Sequence, residues 1–347
     1  MTTSLRLCFV SHRAAPFPGG TEVFVQAMAE AALSQGHDVT ILADQHQGDL
    51  NGVRITADQT LLDRERFDLV VVHGSTDGAP RSTLDRAASL PSPVLYMLVA
   101  HRLGHVRPHH LWAATVLGWS TPLDCAIIAR HGLADREVRV RHGIRLDGSV
   151  GGPGFREKWG IAPDRRLFLS CSGYAPHKRM LPLARTFEAA DTDGLLVTTG
   201  YHKRPRDMPR RSHKVLPLLI DDHAEVLSAI AEADCYLMHS REEGFGLVLL
   251  EAMLNRTPWI ARATGGATVL ADLGQTYVRD ADLVRLIEGF SPNPDQIARA
   301  KATVTAEYGM ANTLADLVAA AEKAAAGPPT PQQPSSLLQL WHRIRSL

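Results

Sequence analysis

The sequence has few features that would tie it to an unusual environment. Among its 347 residues there are only four cysteines, Cys8, Cys125, Cys171 and Cys235. Each sits inside an apolar run (LRLCFV, DCAII, FLSCSG, DCYLM), and no two fall at metal-ligand spacing, which excludes a zinc ribbon or a disulfide framework. They read as buried free thiols in strands, because free cysteine packs as a small hydrophobe. That usage fits a reducing compartment, so the cytoplasm is expected. No segment approaches the ~18 apolar residues of a membrane helix. The short LRLCFV run near the N-terminus reads as a first strand rather than a signal peptide. Charge of one sign is also lacking: Lys+Arg and Asp+Glu both total 37. No global field draws the chain to nucleic acid, which is excluded as a partner, although local groups can still hold a small polyanion.

What is present is an α/β alternation long enough for two domains. Leu5–Ser11 is strand-like, a Pro/Gly loop runs from His12 to Gly20, and helical spacing follows from about Thr21 to Ser34. Gly36 closes that helix, and Asp38–Ala43 is the next strand. Further strands are expected at Phe67–His73, Pro93–Ala100 and Leu123–Ala129. They are near-continuous Val/Ile/Leu runs, as for strands covered on both faces. The pattern breaks at LDGSVGGPGFREKWGIAPD, residues 146–164. It resumes with Leu167–Ser172, Leu195–Thr199, Lys214–Leu219, Asp234–His239 and Trp259–Ala263. We therefore expect two doubly wound Rossmann-like domains facing across a cleft, residues 1–148 and 149–326. Residues 327–347 are read as a Pro-rich linker and a terminal helix.

The chemistry is concentrated in MHSREEGFGLVLLEAMLNRTPWIARATGG, residues 238–266. A strand ends near His239, a turn holds Glu242–Gly246, and a helix follows to about Asn255. Gly244 and Gly246 let the backbone turn tightly and let a ligand approach it. The first N–H groups of the helix, from about Phe245 to Val248, then face that ligand, and the positive helix end suits a phosphate. Glu251 lies about five residues into the helix, roughly 7–8 Å past the anion site at ~1.5 Å per residue. That is the offset of a ribose diol from a diphosphate. Glu243 lies on the other side of the phosphate, where a transferred sugar would sit. Each carboxylate can accept two hydrogen bonds from vicinal hydroxyls.

Glu243-x7-Glu251, with GFG between and EAM after, resembles the signature of the retaining family 4 glycosyltransferases of GT-B fold. The resemblance extends to PFPGGTEVFVQ, GHDVTIL, His101 after a strand, VRHGI at the domain junction, and SGYAPHKR opening the second domain. It implies sugar transfer from a nucleotide-sugar donor, a UDP- or GDP-sugar, to a hydroxyl of a glycan, lipid-linked glycan or small metabolite, with retention of anomeric configuration. It further implies that Glu251 binds the donor ribose and that the Gly244–Leu247 backbone (Gly244, Phe245, Gly246, Leu247) holds the diphosphate. Glu243 would hold sugar hydroxyls, Lys178 would neutralise the phosphates as they leave, and His101 would sit at the reaction centre. Gly19 and Gly20 would approach the diphosphate and the acceptor from the first domain. No metal or other cofactor is expected. Two departures stand out. The family usually has Gly-Arg ahead of its lysine, whereas here Gly173 is followed by Tyr174, so that either Arg179 supplies the missing charge or the phosphate site is weaker. Ala267 and Thr268 replace the glutamate common after the later Gly-Gly.

Other features are weighed against plainer readings. His101, His105 and His109 have i, i+4, i+8 spacing, with His110 beside them, but Gly104 and Pro108 argue against a continuous helix and hence against a metal site. His12 and His73 also end strands in the first domain, where ligands bind. The basic stretch 201–214 reads as a solvated loop, and Pro217 is expected to border the nucleobase. Leu337, Leu340, Trp341 and Ile344 are helically spaced, as for a docking helix or a peripheral membrane contact. Two rival functions remain: a nucleotide-sugar-binding subunit without turnover, and a glycoside hydrolase using Glu243 and Glu251.

Overall fold

The computed structural model describes residues 4–17, 19–74, 77–99, 106–200 and 206–327. It contains two sheets. The first holds β1 (Arg6–Ser11), β2 (Asp38–Ala43), β3 (Gly48–Leu50), β4 (Val53–Thr56), β5 (Leu69–His73), β6 (Val94–Met97), β7 (Val116–Trp119) and β8 (Glu137–Arg139). Their order is β3-β4-β2-β1-β5-β6-β7-β8, parallel except for the β3–β4 hairpin. The second holds β9 (Leu167–Cys171), β10 (Leu195–Gly200), β11 (Val215–Leu219), β12 (Cys235–Met238), β13 (Trp259–Arg262) and β14 (Gln275–Tyr277). Its order is β11-β10-β9-β12-β13-β14, all parallel. Central strands such as β5 (LVVVH) and β9 (LFLSC) are buried at every residue, as their predominantly apolar sequences require when helices cover both faces.

In each sheet the strand order reverses beside one central strand: β1 pairs with β2 on one side and β5 on the other, and β9 pairs with β10 and β12. Loops leaving the carboxyl ends of strands at such a switch point diverge and leave a crevice. The site described below is built from the chain segments following β1, β5, β9 and β12.

The segment Leu123–Ala129, expected as a strand, is instead a helix, Pro122–Arg130. Its start is fixed locally. Thr121 accepts from the Asp124 backbone N–H at 3.3 Å, Asp124 accepts in return from the Thr121 N–H at 3.0 Å, and Pro122 occupies the first turn. The strand of that region is β7, one turn earlier. Cys125 consequently lies on a helix and is only half-buried, whereas Cys8, Cys171 and Cys235 are buried in strands.

The expected second domain, 149–326, does not close on itself. Its last helix, Met310–Ala325, packs on the first sheet, where Met310, Leu314 and Leu317 join the core of Phe9, Phe24 and Val71. Burying side chains of this size contributes about 1.5–3 kcal/mol each, which holds the helix on that side. The chain thus crosses between sheets twice, side by side. Ile144 donates to Tyr308 O at 2.8 Å, and Met310 donates to Ile144 O at 3.2 Å. Arg141 locks the crossing, its side chain donating to both oxygens of Asp316 at 2.8 and 2.6 Å. The terminal segment 328–347, with its expected helix, lies outside the described residues. Among the described residues no helix is long and apolar enough to cross a membrane.

Candidate active site

After β12 the chain turns through Arg241–Gly246 into the helix Leu247–Leu254. Gly246, the residue before the helix, has φ +85°, a conformation that strains any side chain. The turn is supported from behind by the second glycine pair. A Cβ on Gly265 would lie 2.4 Å from Gly244 O, and the Gly266 N–H donates to Phe245 O at 2.8 Å. Gly244, Gly246, Leu247 and Val248 face a cleft of about 520 Å³ between the two sheets. In a helix, N–H groups of the first turn have no intrahelical acceptor, so this end presents donors and partial positive charge to the cleft.

Both glutamates line that cleft. Glu243 accepts from Lys178 Nζ at 2.7 Å, with only 12% and 21% of the two side chains exposed. Glu251, 10% exposed, lies 3.3 Å from His223 Nε2. The carboxylate raises the pKa of His223 above its ordinary value, chiefly through this hydrogen bond and against the cost of burial. Gly173 and Lys178, from the segment after β9, complete the wall beside the turn. Lys178 is the only lysine or arginine lining the cleft among the described residues.

Two sequence expectations are met by a different arrangement. Arg179 does not line the cleft; its guanidinium donates to Asp280 at 2.6 Å, beside Arg262, which pairs with the same carboxylate. Tyr174, standing where an arginine was expected, is fully buried. Its hydroxyl lies 2.9 Å from both Thr198 O and Leu218 O and so ties the loop after β9 to β10 and β11. A buried tyrosine needs such a partner, and this one leaves no side chain at position 174 to meet a phosphate.

The first domain supplies the opposite wall. Gly20 and Thr21, opening the helix Gly20–Ser34, line the cleft. Gly19 caps that helix, its carbonyl accepting from the Val23 N–H at 3.0 Å, and a Cβ there would overlap the Glu22 carboxylate. His73, at the end of β5, lies with Nε2 3.2 Å from Nε2 of His142. His142 stacks between Phe24 (centroids 4.7 Å apart) and Phe245 (5.3 Å). Phe24, His142 and Phe245 therefore form one column from the first domain, through the crossing, to the glutamate turn. Burial lowers His73 to about 4 and pushes His142 well below its usual range. Both rings are neutral at pH 7, and one Nε2–H donates to the other ring's lone pair. His101 lies outside the described residues.

Away from the cleft, His109 and His110 sit on the helix Pro108–Ala113 with Nε2 atoms 3.2 and 2.7 Å from Asp85 Oδ1. Their ligand-type atoms lie within 4.8 Å of one another. Arg81 flanks the same carboxylate, and His110 Nδ1 is buried with no partner among the described residues, whereas a metal-bound imidazole needs an acceptor for its second N–H. His12 pairs with Asp44 at 2.7 Å beside the next helix. Part of the basic stretch is folded onto its domain, Lys214 donating to Ala190 O at 2.8 Å.

Residues 155–300 match the family described as glycosyl transferases, group 1. The greater part of the second domain is therefore similar to that group. The match ends within the helix Pro294–Glu307, and it spans the glutamate turn, Lys178 and Glu251. No curated protein matches the sequence. Solved structures are similar over the whole fold. Anabaena Alr3699/HepE in complex with UDP-glucose is 15% identical with TM-score 0.73, covering 93% of this chain and 100% of that one. A glycosyltransferase from Rickettsia africae ESF-5 is 14% identical with TM-score 0.69, covering 93% and 99%. A UDP-forming α,α-trehalose-phosphate synthase from Burkholderia vietnamiensis is 15% identical with TM-score 0.69, covering 93% and 99%. The two-sheet architecture is the GT-B fold.

His223, His142 and Phe24 were not singled out from the sequence. His223 carried one usable signal: it follows Asp222, a helix cap at the carboxyl end of β11, where open α/β sheets bind ligands. His142 and Phe24 meet through contacts between distant segments that no local pattern encodes.

Proposed function

We propose that the protein is a retaining glycosyltransferase, using a nucleotide-sugar donor bound to its second domain and a hydroxyl acceptor approaching from the first. The observation that carries this reading is the pairing of Glu243 and Glu251 on either side of a helix N-terminus, all on one wall of the cleft. The helix end would take the diphosphate. Glu251 would accept from the ribose hydroxyls and Glu243 from those of the transferred sugar. Lys178, already bonded to Glu243, would stabilise negative charge as the nucleoside diphosphate departs. The departing phosphate would help deprotonate the acceptor, whose sugar bond then forms on the face the phosphate left. His101 would contact the donor sugar. UDP is favoured among donors, since UDP-glucose and UDP are named in complexes of the similar Anabaena protein. No metal is invoked, because the helix end and Lys178 supply positive charge. A cytoplasmic location and a carbohydrate-biosynthetic role go with this reading.

One observation favours a second reading, a nucleotide-sugar-binding protein without turnover: Tyr174 is locked in the core and Arg179 is held by Asp280, so Lys178 is the one side-chain cation of the phosphate site among the described residues. A hydrolase reading is weaker, because both carboxylates come from one turn and helix of one domain and each already has a basic partner.

A thermal-shift panel of UDP, GDP, ADP and dTDP with their sugar conjugates tests donor binding. A ligand at about 100 times its Kd adds roughly 2.7 kcal/mol of stability. Product anomeric configuration by NMR then tests retention. Failure of every nucleotide to shift the melting curve would sink the reading; donor binding without turnover on any acceptor would select the second one.

A further inference from the structure

The cleft contains a basic group that the proposed function leaves without a role. His223 opens the helix His223–Glu232, its backbone fixed by Asp222, whose side chain accepts from the Ala224 N–H at 3.0 Å. From there its Nε2 reaches across to Glu251 Oε1, on the helix Leu247–Leu254, at 3.3 Å. Both residues line the cleft. Glu251 is thus not a carboxylate free to rotate: one of its oxygens is engaged by a residue from a different helix, and that helix begins where β11 ends beside the cleft.

The pairing has a directional consequence. A ribose diol presents two adjacent O–H donors, and a carboxylate receives both well only if its plane faces them. With Oε1 held by the imidazole, the rotation about the last side-chain bond is limited while lone pairs on both oxygens stay available. Fixing a group beforehand spares the entropy of ordering it when ligand arrives. The charges facing His223 are Glu251, Asp222 on its own helix, and Arg145 from the crossing segment. Arg145 is itself paired with Glu30 of the first domain at 2.7 Å. The acidic partners dominate, and the pair with Glu251 is favoured as His223 gains a proton.

We infer that His223 is a positioning residue for the nucleotide ribose: it orients Glu251 toward the 2′- and 3′-hydroxyls and thereby sets the preference of the site for ribonucleotides over 2′-deoxyribonucleotides. This rests on the proposed role of Glu251 at the ribose. It predicts an effect confined to the sugar of the nucleotide, because the diphosphate is assigned to the glutamate turn and Lys178, on another part of the wall.

The test is calorimetric titration of the full chain with whichever of UDP, GDP and ADP it binds most tightly, with the 2′-deoxy counterpart, and with inorganic pyrophosphate. His223→Ala is expected to weaken the ribonucleotide about tenfold, the scale of one hydrogen bond to a charged group. The deoxynucleotide should weaken less, so that the preference for ribose shrinks, and pyrophosphate should be unchanged. His223→Gln, which keeps an N–H donor of similar reach, should recover most of the loss. Equal weakening of nucleotide and pyrophosphate would mean a general structural effect and overturn the inference. So would ribonucleotide affinity unchanged in His223→Ala while Glu251→Ala loses it, an outcome that leaves the proposed function standing. If the unsubstituted protein binds none of the three nucleotides, the inference and the function both fall. Should His223→Ala not fold, the comparison of His223→Gln with the unsubstituted protein decides: a Gln variant that has lost its ribose preference overturns the inference.

Discussion

Acid should destabilise this protein through the buried histidine pair at the domain junction. His73 is held at about 4 in the folded chain by burial, against an ordinary value of 6.5. A base whose folded pKa is depressed binds more protons when unfolded, so stability is complete above pH 6.5 and is lost as pH falls toward 4. At pH 5 the difference in proton binding amounts to about 2 kcal/mol, and at pH 4 to about 3 kcal/mol. His142 is shifted in the same direction and adds to the loss. Both side chains are nearly inaccessible, and each Nδ1 is buried with no partner, so a proton entering the pair finds no counter-charge among the described residues. The assay is urea unfolding followed by tryptophan fluorescence at pH 7.5 and pH 5, for the unsubstituted chain and for His73→Gln. The glutamine keeps a group that can hydrogen-bond His142 but does not titrate. Only the pH-dependent part of the stability is compared, which removes any fixed cost of the substitution. The variant should lose about 2 kcal/mol less than the unsubstituted protein between the two pH values. Equal losses, within about 0.5 kcal/mol, would refute the assignment of the acid sensitivity to this pair.

Three further outcomes are expected. Glu251→Ala should weaken nucleotide binding by about 1.5–3 kcal/mol by calorimetry, the range for a charged hydrogen bond; unchanged affinity would remove the ribose assignment. Glu243→Ala and His101→Ala should each cut turnover by about a hundredfold while leaving nucleotide affinity nearly intact, because their proposed contacts are to the transferred sugar. Full turnover in both would show the catalytic assignment to be wrong. Gly265→Ala should abolish nucleotide binding without touching a ligand, since its Cβ would collide with Gly244 O and its φ of +53° strains any side chain. Normal affinity with a normal melting temperature would mean that the turn is not held in the way described.

Legibility in the sequence followed the range of the interactions. The glutamate turn was readable because the residues that present it to the cleft, from Met238 through Gly246 to Glu251, lie within one short segment, although its support by Gly265 and Gly266 comes from the next loop. The same holds for β1, β2 and the helix between them, closed by Gly36 at φ +86°. Leu123–Ala129 was misread because a short apolar run suits a buried strand or a helix equally; the deciding signal was the Thr121–Asp124 box just ahead of it. Arg179 and Tyr174 were read by position in a motif. Their actual partners, Asp280 and the carbonyls of Thr198 and Leu218, are 101, 24 and 44 residues away. The return of Met310–Ala325 to the first sheet was hidden for a related reason. Its apolar stripe specifies that it docks, and only the path of the chain through Ile144 and Gly309 specifies where.

That path makes the second sheet and its helices an insert. Residues 145–308 leave and re-enter through two adjacent points joined by backbone hydrogen bonds, so the segment has the neighbouring ends that favour transplantation and circular permutation. A short linker from Ile144 to Gly309 would restore the first sheet together with its final helix. The excised segment could be rejoined end to end or spliced into the corresponding crossing of another GT-B scaffold. For an engineer, the two sheets of this chain are separable modules with a single pair of cut sites, and under the proposed function they would carry donor choice and acceptor choice.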